Sequence, residues 1–504
     1  MSSAPLLLGI DVGQTAVKAV VHDASLRPIS VGRKDSPIER PAPNHVERSQ
    51  DGLWAAVTGA VASALADPAV DTGRIGAVCI SGHGDGLHLV DAAGAAVGPA
   101  ITAMDERAAA EAAEISADPE RVRVILEVSG QAAGAASPGT LLLWTRRHHP
   151  ERIDRARAMV FCKDVARIRL TGETAEDICT DYSDATASFL DTGAAAWSSE
   201  VLEAYGAGGL EPLLPRLRSS ADPVGRVSRA AAEETGIPEG TPVLAGLHDV
   251  QASSIGMAAL EPGRLACVAG SFNTNGVTTR RPDIDPRWQS RLSVTPDLRI
   301  AMSTSSTASP TLDWLLRLLG ATGSDARDAL FARAAALDLD TEIPAVLPFF
   351  AGSPPGLDAS GTLSGLRGWH GPEHLLRGVL EGIALMHHWH VSALAEAFEF
   401  EGPVALGGGL SRSPYYAGLA ANALGRPVRV AMEDEAGAFG AAALGAVHLG
   451  LFEDLASAQE RARLGDPILP DPAARGYWDD ARAAFDSLQR AVSPWWKERA
   501  GGGN

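Results

Sequence analysis

The sequence predicts an α/β protein built from two similar halves. Apolar runs rich in β-branched residues alternate with helical segments along most of the chain. A strand, a polar loop and a second strand near the N-terminus, LLLGIDVGQTAVKAVVH over 6–22, recur past the middle as RLACVAGSFNTNGVTTR over 264–280. Self-similarity of this kind suggests a duplicated architecture. The length of 504 residues also exceeds what one hydrophobic core usually serves.

In the opening stretch, LLLGI and AVKAVV flank the break Asp11-Val12-Gly13-Gln14. Gly13 can take φ > 0 at no steric cost, which predicts a hairpin with a small loop. Such a loop can offer backbone N–H groups to an anion, and Asp11 puts a carboxylate beside it. That pairing suits a phosphate arriving with Mg²⁺. Taken alone, it suits an ordinary edge hairpin with a turn aspartate as well.

A polar, proline-bearing segment follows over 32–50, with Ser49 and Asp51 as candidate N-caps of a helix through Trp54 to about Leu65. RIGAVCISGHGDGLHLVDAAGAAVGPAI then predicts a strand, a glycine-rich loop over 82–86, a second strand and a turn at Ala93-Gly94. His83 and Asp85 sit in that loop, where glycines let a ligand approach backbone. Met104-Asp105-Glu106-Arg107 opens an Ala/Glu helix, and the acidic pair has the place of a cap. Helical pattern over 119–157 breaks at Pro138-Gly139 and His149-Pro150. Asp177, Asp181 and Asp184 lack the spacing of a calcium loop, which leaves turn and cap chemistry.

PVLAGLHDVQASSIG over 242–256 predicts a strand running into a helix with His248-Asp249 at the junction. An acid at the C-terminal end of a strand sits where α/β proteins place their chemistry, and it can accept a proton from a hydroxyl. The second hairpin carries the loop Gly270-Ser271-Phe272-Asn273-Thr274-Asn275. Helices are expected over 309–319, 325–336 and 372–396. PVALGGGLSRSPYYAGLAANALGRPVRV predicts strand, triple-glycine turn, helix and short strand, with a close-approach site at Gly407-Gly408-Gly409. EAGAFGAAALGA over 435–446 is so rich in small residues that something must pack tightly against it. A boundary near 245–260 divides the chain into an N-terminal domain over 1–250, a C-terminal domain over 251–490 and a tail over 491–504, disordered at its end.

Composition excludes several function classes. Lys and Arg number 43 against 62 Asp and Glu, a net charge of −19, which disfavours nucleic acid and anionic membranes as partners. Cys79, Cys162, Cys179 and Cys267 have no CxxC spacing, which argues against a zinc site and a disulfide framework. No basic segment precedes the short apolar run at the N-terminus, so no signal peptide is expected. No apolar run reaches membrane-spanning length, and a cytoplasmic location is expected.

Taken in order, GIDVGQTAVKAVV, ISGHGDGLHLVD, PAITAMDERA, LTGETAEDICTDYSDA, GLHDVQASSIG, VAGSFNTN, EGIALMHHW, ALGGGLSRSPYYAGLAANALGRPV and EAGAFGAA resemble the FGGY family of carbohydrate kinases over residues 5–450. The resemblance implies two ribonuclease-H-like (actin-like ATPase) domains flanking a nucleotide and sugar cleft, with ATP and Mg²⁺ mainly on the second domain and the acceptor mainly on the first. The implied reaction phosphorylates a terminal hydroxyl of a small sugar or polyol, a pentulose such as xylulose or a tetritol such as erythritol. Carried over by position, Asp249 resembles the catalytic base and Asp11 the residue near the metal. Gly13, Gln14 and Thr15 resemble the first phosphate loop, Gly270 and Ser271 the second, and Gly408, Gly409 and Ser413 the adenosine-binding turn. His83, Asp85 and Asp105 resemble sugar-contacting positions, and the family leaves room for a homodimer.

Three departures bear on the acceptor. Ala103 replaces the usual tryptophan, which reshapes the sugar site. Gly270-Ser271 replaces Gly-Thr, keeping a hydroxyl. AGSPPGLD over 351–358 lacks the usual Gly-Glu-Arg, and with GHGDGL this is closer to L-xylulose and erythritol kinases than to D-xylulokinase or glycerol kinase. Two other outputs fit the same fold: an actin-like ATPase with a conformational output, and a non-catalytic sugar sensor. A sensor should have lost the base, and Asp249 is present.

Overall fold

The computed structural model describes residues 4–350, 359–433 and 435–501. The chain forms two compact units. The first comprises Met1–Pro262, Thr279–Ile300 and Glu433–Arg463, and the second Gly263–Thr278, Ala301–Met432 and Leu464–Asn504.

In the first unit, β1 (Leu6–Val12), β2 (Ala16–His22) and β3 (Pro28–Asp35) form an antiparallel meander. Every residue of β1 is buried, Asp11 included, and the apolar run LLLGI suits a strand covered on both faces. Helix α1 (Gln50–Leu65) starts where expected: the Ser49 side chain accepts the Gly52 N–H at 3.2 Å. Its packing on β3 is close enough that a Cβ at Gly32 would lie 2.0 Å from the Ala60 carbonyl oxygen.

Strand β4 (Ile75–Gly82) joins β1 in parallel. Helix α2 (Cys162–Thr171) follows, then β5 (Pro223–Arg226), β6 (Pro242–Leu244) and β7 (Leu247–His248). The sheet runs β5-β6-β4-β1-β2-β3, with β7 also paired to β4. A smaller antiparallel sheet joins Glu47–Arg48, Ala100–Thr102, Gly86–Val90 and Ala158–Val160.

Helix α3 (Asp249–Gly256) leaves β7, and α4 (Ala436–His448) packs against both α3 and β1. The tight neighbour expected for the small-residue helix is therefore double. A Cβ at Gly9 would lie 2.0 Å from the Ala438 carbonyl oxygen, and one at Gly440 would lie 2.1 Å from that of Ala252. Backbone cannot yield as a side-chain tip can. Gly440→Ala is expected to destabilise the protein by about 1–3 kcal/mol, read as a lower urea midpoint; an unchanged midpoint would contradict the packing.

The second unit repeats the same plan. β8 (Leu265–Ala269) and β9 (Asn273–Thr279) form the second hairpin. With β10 (Arg299–Ser305), β11 (Val404–Gly407) and β12 (Val428–Val430), the order runs β10-β9-β8-β11-β12. That matches β3-β2-β1-β4-β6 in the first unit: a hairpin-led meander with two strands added in parallel to its first strand. This is the duplicated α/β architecture the two loops predict.

Two local expectations change. The helix after Met104 starts at Ala109 with no side-chain cap. Asp105 instead accepts the Arg107 N–H at 2.8 Å and Arg107 Nε at 2.9 Å, because a nearby guanidinium outcompetes a distant helix end. Within the tail, a helix over Arg475–Gly501 covers 491–501, including the first residues of RAGGGN, where disorder was expected. Residues 502–504, like AGSPPGLD over 351–358, lie outside the described residues. No helix among the described residues is long and apolar enough to cross a membrane.

Candidate active site

Three parallel strands end together. The register pairs Asp11 with Ser81 and Val12 with Gly82 across β1 and β4, and Ser81 with Leu247 and Gly82 with His248 across β4 and β7. Their C-terminal ends therefore place Asp11, the 82–86 loop and Asp249 along one sheet edge, the usual position for ligands in such sheets.

Asp249 opens α3, its side chain about one-third exposed (34%) and its Oδ1 3.1 Å from His248 Nδ1. On the other side of the ring, Arg291 places a guanidinium nitrogen 3.1 Å from His248 Nε2. Arginine can only donate, so Nε2 accepts, while Nδ1 faces both the Val250 N–H at 3.2 Å and the Asp249 carboxylate at 3.1 Å. Burial would raise the Asp249 carboxyl, but the adjacent His248 outweighs it and holds the group below its ordinary range. Arg291 also donates to both oxygens of Asp85, at 3.0 and 3.2 Å. Asp85, Arg291, His248 and Asp249 thus form one connected chain. Sequence reasoning missed Arg291; its only signal is a charged residue inside the short strand QSRL, 43 positions past His248.

Asp11 is buried, with Ser81 Oγ donating to its Oδ1 at 3.1 Å and Lys18 Nζ 3.1 Å from its Oδ2. Lys18 also pairs with Glu435 at 3.1 Å. Asp11 is the main cause of the rise in the Lys18 pKa, which prevails over burial. Gly13 closes the adjacent loop through its N–H to the Ala16 carbonyl at 3.1 Å; Gln14 is half-buried and Thr15 exposed. The hard carboxylate oxygens of Asp11 and Glu435 suit Mg²⁺ in chemistry, and an ion there would have to displace the Lys18 ammonium that both now hold. Gly437 leaves them room, since a Cβ there would lie 2.9 Å from Asp11 Oδ1.

His83 is buried, and Arg48 places a guanidinium nitrogen 3.3 Å from its Nε2. Burial first, then Arg48, hold the imidazole well below its ordinary range, so it is neutral. His83, His88 and Cys162 bring three donor atoms within 4.8 Å. A metal ion among them would face the same guanidinium, 3.9 Å from Cys162 Sγ, so charge opposes one. Asp105 is enclosed: the Val46 N–H reaches its Oδ2 at 2.6 Å and Arg107 holds both oxygens. A substrate hydroxyl would have to displace Arg107 to reach it.

In the second unit, Gly270 follows β8 and donates its N–H to the Phe272 carbonyl at 3.0 Å, with Ser271 exposed. Gly408 has φ of +89°, and a Cβ there would lie 2.5 Å from the Ala269 carbonyl carbon. The triple-glycine turn and the second hairpin loop are therefore in contact, Gly409 following in a short 3₁₀ turn. Ser413 caps the helix Pro414–Leu424, accepting the Tyr416 N–H at 3.4 Å. Beneath the loop, His387 Nδ1 lies 2.6 Å from Asn275 Oδ1, and Asn275 donates to Asn273 Oδ1 at 2.8 Å.

Asp181 and Asp184 do more than cap. Asp181 accepts the Ser183 N–H at 2.9 Å, as a cap does. Yet Lys163 Nζ lies 2.7 Å from Asp164, 3.1 Å from Asp181 and 3.1 Å from Asp184, with all four side chains 0% exposed. Arg167 joins Asp164 at 2.6 Å and Glu173 at 2.9 Å. Burial pushes the Asp184 carboxyl up to about 7, against the pull of Lys163.

Comparison with known proteins agrees across the whole chain. The model described as FGGY family of carbohydrate kinases, N-terminal domain, matches residues 6–256, and its C-terminal counterpart matches 265–449. L-xylulose/3-keto-L-gulonate kinase of Escherichia coli (strain K12) is 26% identical over 493 residues, 96% of this chain and 97% of that protein. Erythritol kinase of Brucella abortus (strain 2308) is 26% identical over 527 residues, 99% of this chain and 98% of that protein. The crystal structure of xylulose kinase from Rhodospirillum rubrum matches with a TM-score of 0.87 at 25% identity, covering 98% of this chain and 100% of that one.

Proposed function

The chain belongs to the FGGY family of carbohydrate kinases, and from that premise we propose that it phosphorylates a terminal hydroxyl of a small sugar or polyol, with Asp249 as the base. The acceptor is a pentulose such as xylulose or a tetritol such as erythritol, in line with the named substrates of its relatives. The observation that carries the reading is the Asp249 carboxylate at the sheet edge, with its Oδ1 3.1 Å from His248 Nδ1.

Bound ATP supplies the γ-phosphoryl group, and Mg²⁺ would neutralise its phosphates from a position held by Asp11 and Glu435. Phosphoryl transfer passes through a loose transition state, so the protein's work is positioning and charge balance. A carboxylate below its ordinary range is a weak base, but it is reliably ionised. It accepts the hydroxyl's hydrogen bond first and its proton late. Asp85 and Arg291 offer an acceptor and donors to neighbouring hydroxyls. In the first unit Gly13, Gln14 and Thr15 offer a phosphate loop; in the second, Gly270 and Ser271 offer another, and Gly408, Gly409 and Ser413 an adenosine turn. His83 and Asp105 act behind the acceptor site, as supports of its walls.

Release of ADP from ATP and Mg²⁺, measured across pentuloses, tetritols and glycerol, tests the reading. It should rise far above the acceptor-free rate with one or a few of them. A rate that no acceptor changes would instead favour an actin-like ATPase.

A further inference from the structure

Asp249 is oriented twice, once through its side chain and once through its backbone. The ring of His248 accounts for the first. For the second, the His248 N–H donates to Ser183 Oγ at 2.8 Å. Ser183 Oγ donates its own proton to Asp181 Oδ2 at 2.6 Å, and Ser220 Oγ donates to the same oxygen at 2.8 Å. Lys163 Nζ stands 3.1 Å from the other oxygen, Oδ1. Ser183 and Asp181 are completely buried.

The direction of this chain is fixed by proton count. A hydroxyl has one proton, and a carboxylate can only accept, so the serine proton goes to Asp181 and a serine lone pair receives the His248 N–H. Hydrogen bonds in such a row polarise one another, and a charged terminus strengthens them. The peptide so held, Leu247–His248, lies one residue before Asp249, and the first turn of α3 grows from His248, its N-cap.

We infer that Ser183, backed by Asp181, is a positioning residue for Asp249: it sets the backbone from which the carboxylate meets the acceptor hydroxyl. This rests on the reading of Asp249 as the base. It assigns a task in the reaction to part of a buried aspartate cluster whose other members balance charge. Ser183 touches neither acceptor nor nucleotide in this account, so its removal should be felt in the chemical step and not in binding.

The test compares Ser183→Ala, Ser183→Thr and Asp249→Ala in the full-length protein, measuring kcat, KM for the acceptor and ATP affinity. A displacement near 1 Å at the reacting group costs about 100-fold, so Ser183→Ala should lower kcat by about 10- to 100-fold. Acceptor KM should stay within about two-fold, the signature of an interaction felt mainly in the transition state. Ser183→Thr, which keeps the hydroxyl, should recover most of the loss. An unchanged kcat in Ser183→Ala, or a loss that Ser183→Thr does not recover although ATP still binds, overturns the inference alone. Near-normal turnover in Asp249→Ala overturns it together with the base assignment.

Discussion

Replacing Asp249 by asparagine is expected to lower kcat by about 10²- to 10⁴-fold, the usual worth of a positioned acid–base group. ATP binding should be unchanged, because the residues proposed to hold adenosine belong to the second unit. The substitution keeps the shape of the side chain and its place beside His248 Nδ1, 3.1 Å away. It removes only the charge and the ability to take a proton. The pH dependence carries a sign. Asp249 lies below the ordinary carboxylate range, so the wild-type rate should stay level from neutrality down through that range. It should fall only as acid protonates Asp249. Steady-state kinetics with a parallel nucleotide-binding titration checks both points, and turnover near the wild-type value in the variant would sink the assignment.

The second large effect is on stability. Lys163→Met should destabilise the protein by about 3–5 kcal/mol, the usual cost of breaking a buried ion pair from one side. Lys163 faces Asp164, Asp181 and Asp184 within 3.1 Å, with no exposed atom among the four side chains. Its loss leaves Arg167 as the only cation of that group against four carboxylates, counting Glu173. Asp184 already holds its proton up to about pH 7. Between the ordinary carboxylate range and that value the folded state binds more protons than the unfolded one, so this group's contribution falls as pH rises. The variant should therefore lose less at pH 5.5 than at pH 8, where more of the stranded carboxylates are charged. Thermal unfolding at the two pH values reads this directly; a loss as large or larger in acid would contradict it.

Much of this molecule is legible in the sequence, where local chemistry decides. Ser49 caps α1 as its position suggests, Pro138 and Pro150 each open a helix, and the two hairpins begin two sheets of the same order. The sheet edge at Asp249 follows from a strand running into a helix. Other features depend on long-range neighbours and leave no local trace. Arg291 reaches Asp85 and His248 from a strand far along the chain. Lys163, Asp181 and Asp184 look like turn chemistry until folding closes them off from water. Asp105 has the spacing of a cap, but Arg107 and Val46 claim its oxygens.

Helix α4 carries no polar side chain before His448, yet it bears on redesign of the site. Through Gly440 it presses on the helix that begins with Asp249, and through Ala438 on the strand that holds Asp11. It acts as a spacer between the strand of Asp11, the proposed metal-side carboxylate, and the helix of Asp249, the proposed proton acceptor. Engineering for a new acceptor therefore has almost no freedom at positions 437 and 440. One added methyl group there would change the gauge of the whole reaction centre.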